Sequence, residues 1–232
     1  MSFPCSGNTW LRYMLEGATG IFTSSVYKEK PLYEAGFLGE TEDVGSGRTL
    51  IQKTHGVMFD STFRHDLLDR HEFTDPARPA ILLLRNPSRA IVSSWHLLHL
   101  RGKERHTAQV DHSTYNTTRF RLYVSEATSL WEEMATDRLL WGAGPLHVLH
   151  YEHLLADPAR HLLECLQFLG VAVDEARLSC VLTHLTGNFK SNRTLSVDPF
   201  TPGERRMDSA VRRVTHLQTL LGHPLPPYSP ED

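Results

Sequence analysis

Three short stretches hold the residues best suited to chemistry. "PCSGNTW" (4–10) places Ser6, Gly7, Asn8 and Thr9 at a tight turn that runs into an amphipathic segment. Small residues there let backbone N–H groups approach an anion at a helix N-terminus. The same residues also describe a plain strand-to-helix turn with a Ser/Thr cap. The G-x-x-x-x-G-K-[ST] pattern is absent, so this is not a Walker A loop. "LLLRNPSRAIVSSW" (82–95) ends an apolar run at Arg85 and carries Ser93 in the second turn of the next helix. A guanidinium and a hydroxyl facing one crevice suit a phosphate. "QKTHG" (52–56) sets Lys53 and His55 two residues apart, on one side of a continued strand. A histidine there suits general-base work near neutral pH.

The elements that must position these residues alternate. A helix over 9–18 carries Trp10, Tyr13, Met14 and Gly17 on one face and ends at Gly20. "RTLIQK" (48–53), "PAILLLR" (79–85) and "PLHVLHY" (145–151) read as strands. Asn86 caps a helix over 87–100, with Pro87 at its first position and Ile91, Trp95 and Leu98 on one face. Further helices are expected over 61–70, 119–140, 157–169 and 174–185. In the longest, Leu122, Ala127, Leu130, Trp131 and Met134 fall at helical spacing. Residues 222–232 form a proline-rich extended tail. Alternating strands and helices predict a parallel sheet covered on both faces, with ligands at the carboxyl ends of the strands. With no internal repeat and no linker, residues 1–232 read as one domain.

Composition narrows the partners. The 232 residues are 40% hydrophobic and 22% charged, with a net charge of -3. That balance gives no general attraction to nucleic acid or a membrane surface, so any anion site is local. Cys5, Cys165 and Cys180 cannot all pair within the chain, and Cys165 sits in an apolar helical pattern that suggests a buried thiol. His147, His150 and His153 lack a metal-ligand pattern, and no metal is expected. Two N-x-[ST] tripeptides, at Asn116 and Asn192, hint at a secretory lumen.

"PCSGNTW", "KTHG", "RNPSRAIVSSW", "YEHLLADP" and "GNFKSNR" occur in the order and approximate spacing of sulfotransferases that use 3′-phosphoadenosine-5′-phosphosulfate (PAPS). "SGNTW" and "GNFK" most resemble the Golgi membrane-anchored, WSC-domain-containing members. The resemblance covers residues 3 to about 200. It implies a P-loop-type three-layer α/β/α fold with a central parallel sheet. It implies transfer of a sulfuryl group from PAPS to a hydroxyl of a carbohydrate or similar acceptor, on the lumenal side of the Golgi membrane. The membrane would be met only through an anchor absent from this chain.

The resemblance also implies roles. Ser6, Gly7, Asn8, Thr9 and Trp10 would cradle the 5′-phosphosulfate. Arg85 and Ser93 would grip the 3′-phosphate, and His55 would take the acceptor proton. Tyr151 would lie near the nucleotide, and Lys190 and Arg193 would close over its phosphates. Two departures stand out. Cys5 occupies the place of a basic loop residue, for which Lys53 could substitute. Only Met1, Ser2 and Phe3 precede the loop, so the first strand is cut short, its neighbours are expected to lose ladder partners, and the chain reads as a fragment or isoform. These departures keep open a catalytically inactive protein of the same fold that binds a nucleotide or a partner. A nucleotide kinase would need a loop lysine and a magnesium ligand, and neither pattern is present.

Overall fold

The computed structural model describes residues 1–43, 45–56, 75–99, 112–186, 198–201, 204 and 206–228. Its strands are β1 (Ser24–Ser25), β2 (Gln52–Lys53), β3 (Ala80–Leu84) and β4 (Leu146–His150). Its helices are α1 (Asn8–Thr19), α2 (Lys30–Glu34), α3 (Pro87–His99), α4 (Thr118–Trp141), α5 (Tyr151–Ala156), α6 (Pro158–Phe168), α7 (Glu175–Thr183) and α8 (Arg206–Leu221). β1 pairs parallel with β2, and β3 pairs parallel with β4 through the register Ala80–Leu146 to Leu84–His150.

The first three residues join these pairs. Ser2 forms a parallel bridge with Leu83, and the Leu83 N–H donates to the Met1 carbonyl at 2.9 Å. On the other side the Ser2 N–H donates to the Thr54 carbonyl at 3.2 Å. The expectation that the short N-terminus leaves its neighbours unpaired is therefore corrected. These contacts fall on Met1 and Ser2, and Phe3 is fully buried in the core.

Alternation along the strands sends side chains to two cores. Leu82, Leu84 and Val148 pack with Ile91 and Trp95 of α3, Phe120, Trp131 and Met134 of α4, and Val211 and Val214 of α8. Ile81, Leu83 and Leu149 pack with Leu11, Met14 and Leu15 of α1, Leu162 and Cys165 of α6, and Leu178 and Val181 of α7. The sheet is thus covered on both faces, a three-layer α/β arrangement. Each large apolar side chain buried in it stabilises the fold by roughly 1.5–3 kcal/mol before ordering costs.

Several boundaries fall where the sequence puts them. Gly20 closes α1 in the left-handed region, at φ 70. Asn86 caps α3, its Oδ1 accepting from the Ser88 N–H at 2.9 Å. Asp157 caps α6 by accepting from the Arg160 N–H. Cys165 is buried, which pushes its thiol pKa up to about 12. Other readings are corrected. The strand expected over 48–53 is regular only at Gln52–Lys53. Leu122 and Leu98, expected on core faces, are exposed; Phe120 and Val124 turn inward instead. The segment 61–70 lies outside the described residues. Helix α8 is an addition: Met207, Ala210, Val211, Val214 and Gln218 form its buried stripe at i, i+3, i+4 and i+7 spacing, a signal present in the sequence.

Candidate functional site

The loop from Pro4 to Gly7 leaves the short first strand and enters α1. Cys5 has φ 58 and Gly7 has φ 94, two left-handed residues that turn the chain sharply. Gly7 is needed twice over. Its φ favours glycine, and a Cβ there would lie 2.4 Å from the Tyr151 ring. No side chain caps α1, and its first intrahelical bond runs from the Leu11 N–H to the Gly7 carbonyl at 3.0 Å. The N–H groups of Asn8, Thr9 and Trp10 therefore precede the helical ladder and carry its positive dipole end. Ser6 is fully buried, and its Oγ has no hydrogen-bond partner among the described residues. Asn8 is anchored sideways: its Nδ2 donates to Ser2 Oγ at 2.9 Å, while Thr9 Oγ1 donates to Asn8 Oδ1 at 3.2 Å.

Arg85 follows β3 and reaches back to this loop. Its Nη1 donates to the Cys5 carbonyl at 2.6 Å, and its guanidinium lies 4.6 Å over the Tyr151 ring. Its buried Nε has no partner among the described residues. The Trp131 indole donates to the Arg85 carbonyl at 3.1 Å and fixes the strand end from below. Ser93, from the second turn of α3, lies beside the Cys5 thiol. Burial raises the Cys5 pKa, opposed by the Arg85 charge, the Ser93 hydroxyl and the Lys53 charge. Tyr151 begins α5 directly after β4, and Trp10 meets its ring edge-on at 6.0 Å. The Trp10 indole donates to the Leu185 carbonyl at 2.9 Å. Glu152 accepts from the Asn86 N–H at 3.0 Å, and burial raises its pKa.

Lys53 and His55 stand beside the loop at the end of β2. The His55 Nδ1 is 2.7 Å from the Ser2 carbonyl. A carbonyl only accepts, so Nδ1 carries the proton and Nε2 carries the lone pair. Burial, reinforced by the Lys53 charge and opposed by the Ser2 bond, lowers the His55 pKa from 6.5 to about 3. The imidazole is neutral at physiological pH. The His55 N–H donates to Tyr27 Oη at 2.8 Å, and the two rings stack with centroids 5.3 Å apart. The buried Lys53 ammonium forms an ion pair with Glu29 and lies 5.6 Å from the centre of the Tyr27 ring.

The structure thus gathers Ser6, Gly7, Asn8, Thr9, Trp10, Arg85, Ser93 and Tyr151 around one loop, with Lys53 and His55 at its flank. Lys190 and Arg193 lie outside the described residues. Glu29 pairs with the Lys53 ammonium, whose charge still bears on the Cys5 thiol. Tyr27, Glu29 and Glu152 were not legible as site residues, because each acts through a contact between distant segments. Strand alternation separates His147, which stacks on Phe168 of α6, from His150, which meets Gln218 of α8 and the His153 ring at 5.6 Å. Among the described residues no group of three such side chains is placed to hold a metal ion, and no helix is long and apolar enough to cross a membrane.

The profile of the sulfotransferase domain family matches residues 1–213, and the chain belongs to that family. It is 34% identical over 228 residues to WSCD family member GA21586 of Drosophila pseudoobscura pseudoobscura, covering 95% of this chain and 65% of that protein. It is 32% identical over 232 residues to WSCD family member CG9164 of Drosophila melanogaster, covering 97% and 66%. The chain therefore spans just under two-thirds of the length of these relatives. A sulfotransferase from Alicyclobacillus acidocaldarius shares the fold with a TM-score of 0.50 at 14% identity, covering 97% of this chain and 95% of that one. Mouse sulfotransferase SULT7A1, solved in complex with PAP, shares it with a TM-score of 0.51 at 16% identity, covering 95% and 84%. These two likenesses establish the P-loop-type sulfotransferase fold.

Proposed function

We propose that the protein is a PAPS-dependent sulfotransferase that sulfates a hydroxyl of a carbohydrate or similar acceptor, with His55 as general base. One observation carries the reading. An uncapped helix start, a cationic side chain whose Nε has no partner among the described residues (Arg85) and a neutral histidine of defined tautomer converge at the carboxyl ends of parallel strands. The residues fit the donor: Gly7 leaves no room for a side chain, and the buried Ser6 Oγ lacks a partner among the described residues.

PAPS would supply a sulfuryl group on a phosphate leaving group. The loop N–H groups and Ser6 would hold the 5′ end, and Arg85 Nε with the Ser93 hydroxyl the 3′-phosphate. Trp10 and Tyr151 would line the nucleoside side, with Lys190 and Arg193 closing over the phosphates. His55 Nε2 would accept the acceptor proton while Nδ1–H stays on the Ser2 carbonyl. Anionic phosphates nearby would raise the basicity that burial and Lys53 depress. With Cys5 neutral, Arg85 and Lys53 would carry the electrostatic stabilisation of the leaving oxygen. By kinship we also propose a Golgi, lumenal setting and a membrane anchor outside this chain; Asn116 is exposed and open to glycosylation.

The test is calorimetric titration with PAP, followed by a labelled-sulfate screen over glycan acceptors. Binding with transfer supports the reading, and absence of PAP binding removes it. Binding without transfer selects the inactive nucleotide-binding protein, a reading favoured by the neutral Cys5 and by a Lys53 already neutralised by Glu29.

A further inference from the structure

We infer that Glu29 is the positioning residue that sets Lys53 beside the anion loop, and that the buried Arg12–Glu40 pair fixes Glu29 in turn; its consequence for turnover rests on the sulfuryl-transfer reading above. A lysine ammonium on a four-carbon stem has many rotamers and no intrinsic direction. Two contacts define it here, the Glu29 carboxylate and the Tyr27 ring. Glu29 is itself half-exposed, yet it is not left to solvent. Its backbone N–H donates to Glu40 Oε2 at 3.1 Å. The other oxygen of Glu40 pairs with Arg12 Nη1 at 2.5 Å, and both side chains are 1% exposed. Arg12 is then held on its remaining sides: Nε donates to Thr23 Oγ1 at 2.7 Å, Nη2 to the Thr23 carbonyl at 3.3 Å, and the guanidinium lies 4.8 Å over the Phe37 ring.

Arg12 belongs to α1, the helix whose first residues form the anion loop. One rigid helix therefore places the loop directly and places Lys53 through Arg12, Glu40 and Glu29. The lysine charge reaches both the Cys5 thiol and the His55 ring, so it sits where the loop and the base meet. An ordinary solvent-facing ion pair looks different. Lys28–Asp43 and Lys30–Glu34 have lysine side chains 48% and 85% exposed, against 7% for Lys53.

The test uses the full chain with Glu29→Gln, Glu29→Asp, Lys53→Met and the Glu29→Gln/Lys53→Met double variant. The first readout is the rate of amine acylation at Lys53, followed by peptide mass spectrometry, with Lys28 as internal control for local unfolding. Glu29→Gln should raise Lys53 labelling about tenfold and leave Lys28 unchanged. The second is a split of kcat from KM in labelled-sulfate transfer. Glu29→Gln should lower kcat about tenfold at near-normal KM for PAPS, Glu29→Asp should partly restore it, and nothing further should be lost in the Lys53→Met background. Unchanged Lys53 labelling overturns the inference. So does a Glu29→Gln loss that adds in full to that of Lys53→Met, and in that case the transfer reading stands. Labelling as expected in a chain that transfers nothing supports the positioning of Lys53 and removes the transfer reading instead.

Discussion

At Arg85 the guanidinium gives one Nη1 hydrogen bond to the Cys5 carbonyl and keeps a buried Nε with no partner among the described residues. At Lys53, beside the same loop, the ammonium is already claimed by Glu29 and Tyr27. Among the described residues the first cation has no ion-pair partner and acts on a carboxylate only through the Glu152 side chain nearby, which leaves its charge open to an incoming anion. The other is held by a counter-charge that a bound anion must share or displace. The comparison assigns tight anion binding to the Arg85 end and adjustable electrostatics to the Lys53–His55 end. It also shows why His55 is so weakly basic here: burial and a positive neighbour act in the same direction.

The largest expected effect tests the base end. His55→Ala should lower transfer by about 10²–10⁴ while PAP affinity stays within a few-fold, measured by single-turnover kinetics beside calorimetry. Near-normal turnover would remove His55 from the mechanism and leave the Lys53 end without a chemical role.

Arg85→Ala comes next. It deletes a charge-assisted contact of about 1.5–3 kcal/mol, so PAP affinity should drop at least tenfold by titration. Ser93→Ala should cost less, because it loses a neutral hydroxyl. Equal effects at Arg85 and Lys53 on binding would erase the distinction between the two ends.

Acidification sharpens the contrast at intermediate magnitude. The native His55 has its pKa lowered from 6.5 to about 3, so between those values the unfolded chain binds more protons. Its contribution to stability is complete above pH 6.5 and is lost as pH falls toward 3, by up to about 1.4 kcal/mol per unit. His150, lowered by burial to about 4, acts with the same sign. Melting temperatures of the wild type should fall from pH 6.5 to 4, and His55→Gln should flatten that slope in part. An unchanged slope would show that His55 is not desolvated.

The smallest effect concerns the loop itself. Cys5 holds φ 58, which costs a side-chain-bearing residue about 1–2 kcal/mol. Cys5→Gly relieves that strain at some entropic cost, so melting should shift upward by the equivalent of less than about 1 kcal/mol, with PAP binding retained. Loss of binding would mean that the Cys5 side chain, rather than the backbone turn, organises the Arg85 end.

The sequence alone determined the parts of this protein that depend on local chemistry. Apolar runs bounded by proline set β3 and β4, and capping residues set the starts of α3 and α6. Small residues before an amphipathic run marked the anion loop, and chain order placed Arg85 and Ser93 on adjoining elements. Tertiary structure decided the rest. Ser24–Ser25 is a strand only because β2 lies beside it; two serines carry no strand signal of their own. Ser2 joins the two strand pairs because Leu83 and Thr54 flank it on either side. No local signal in the sequence pairs Arg12 with Glu40, yet folding buries them together, since each satisfies the other where water is excluded. Tyr27 and Glu29 act on residues 28 and 24 positions away, and contacts over such distances exist only after the sheet has brought β1 beside β2.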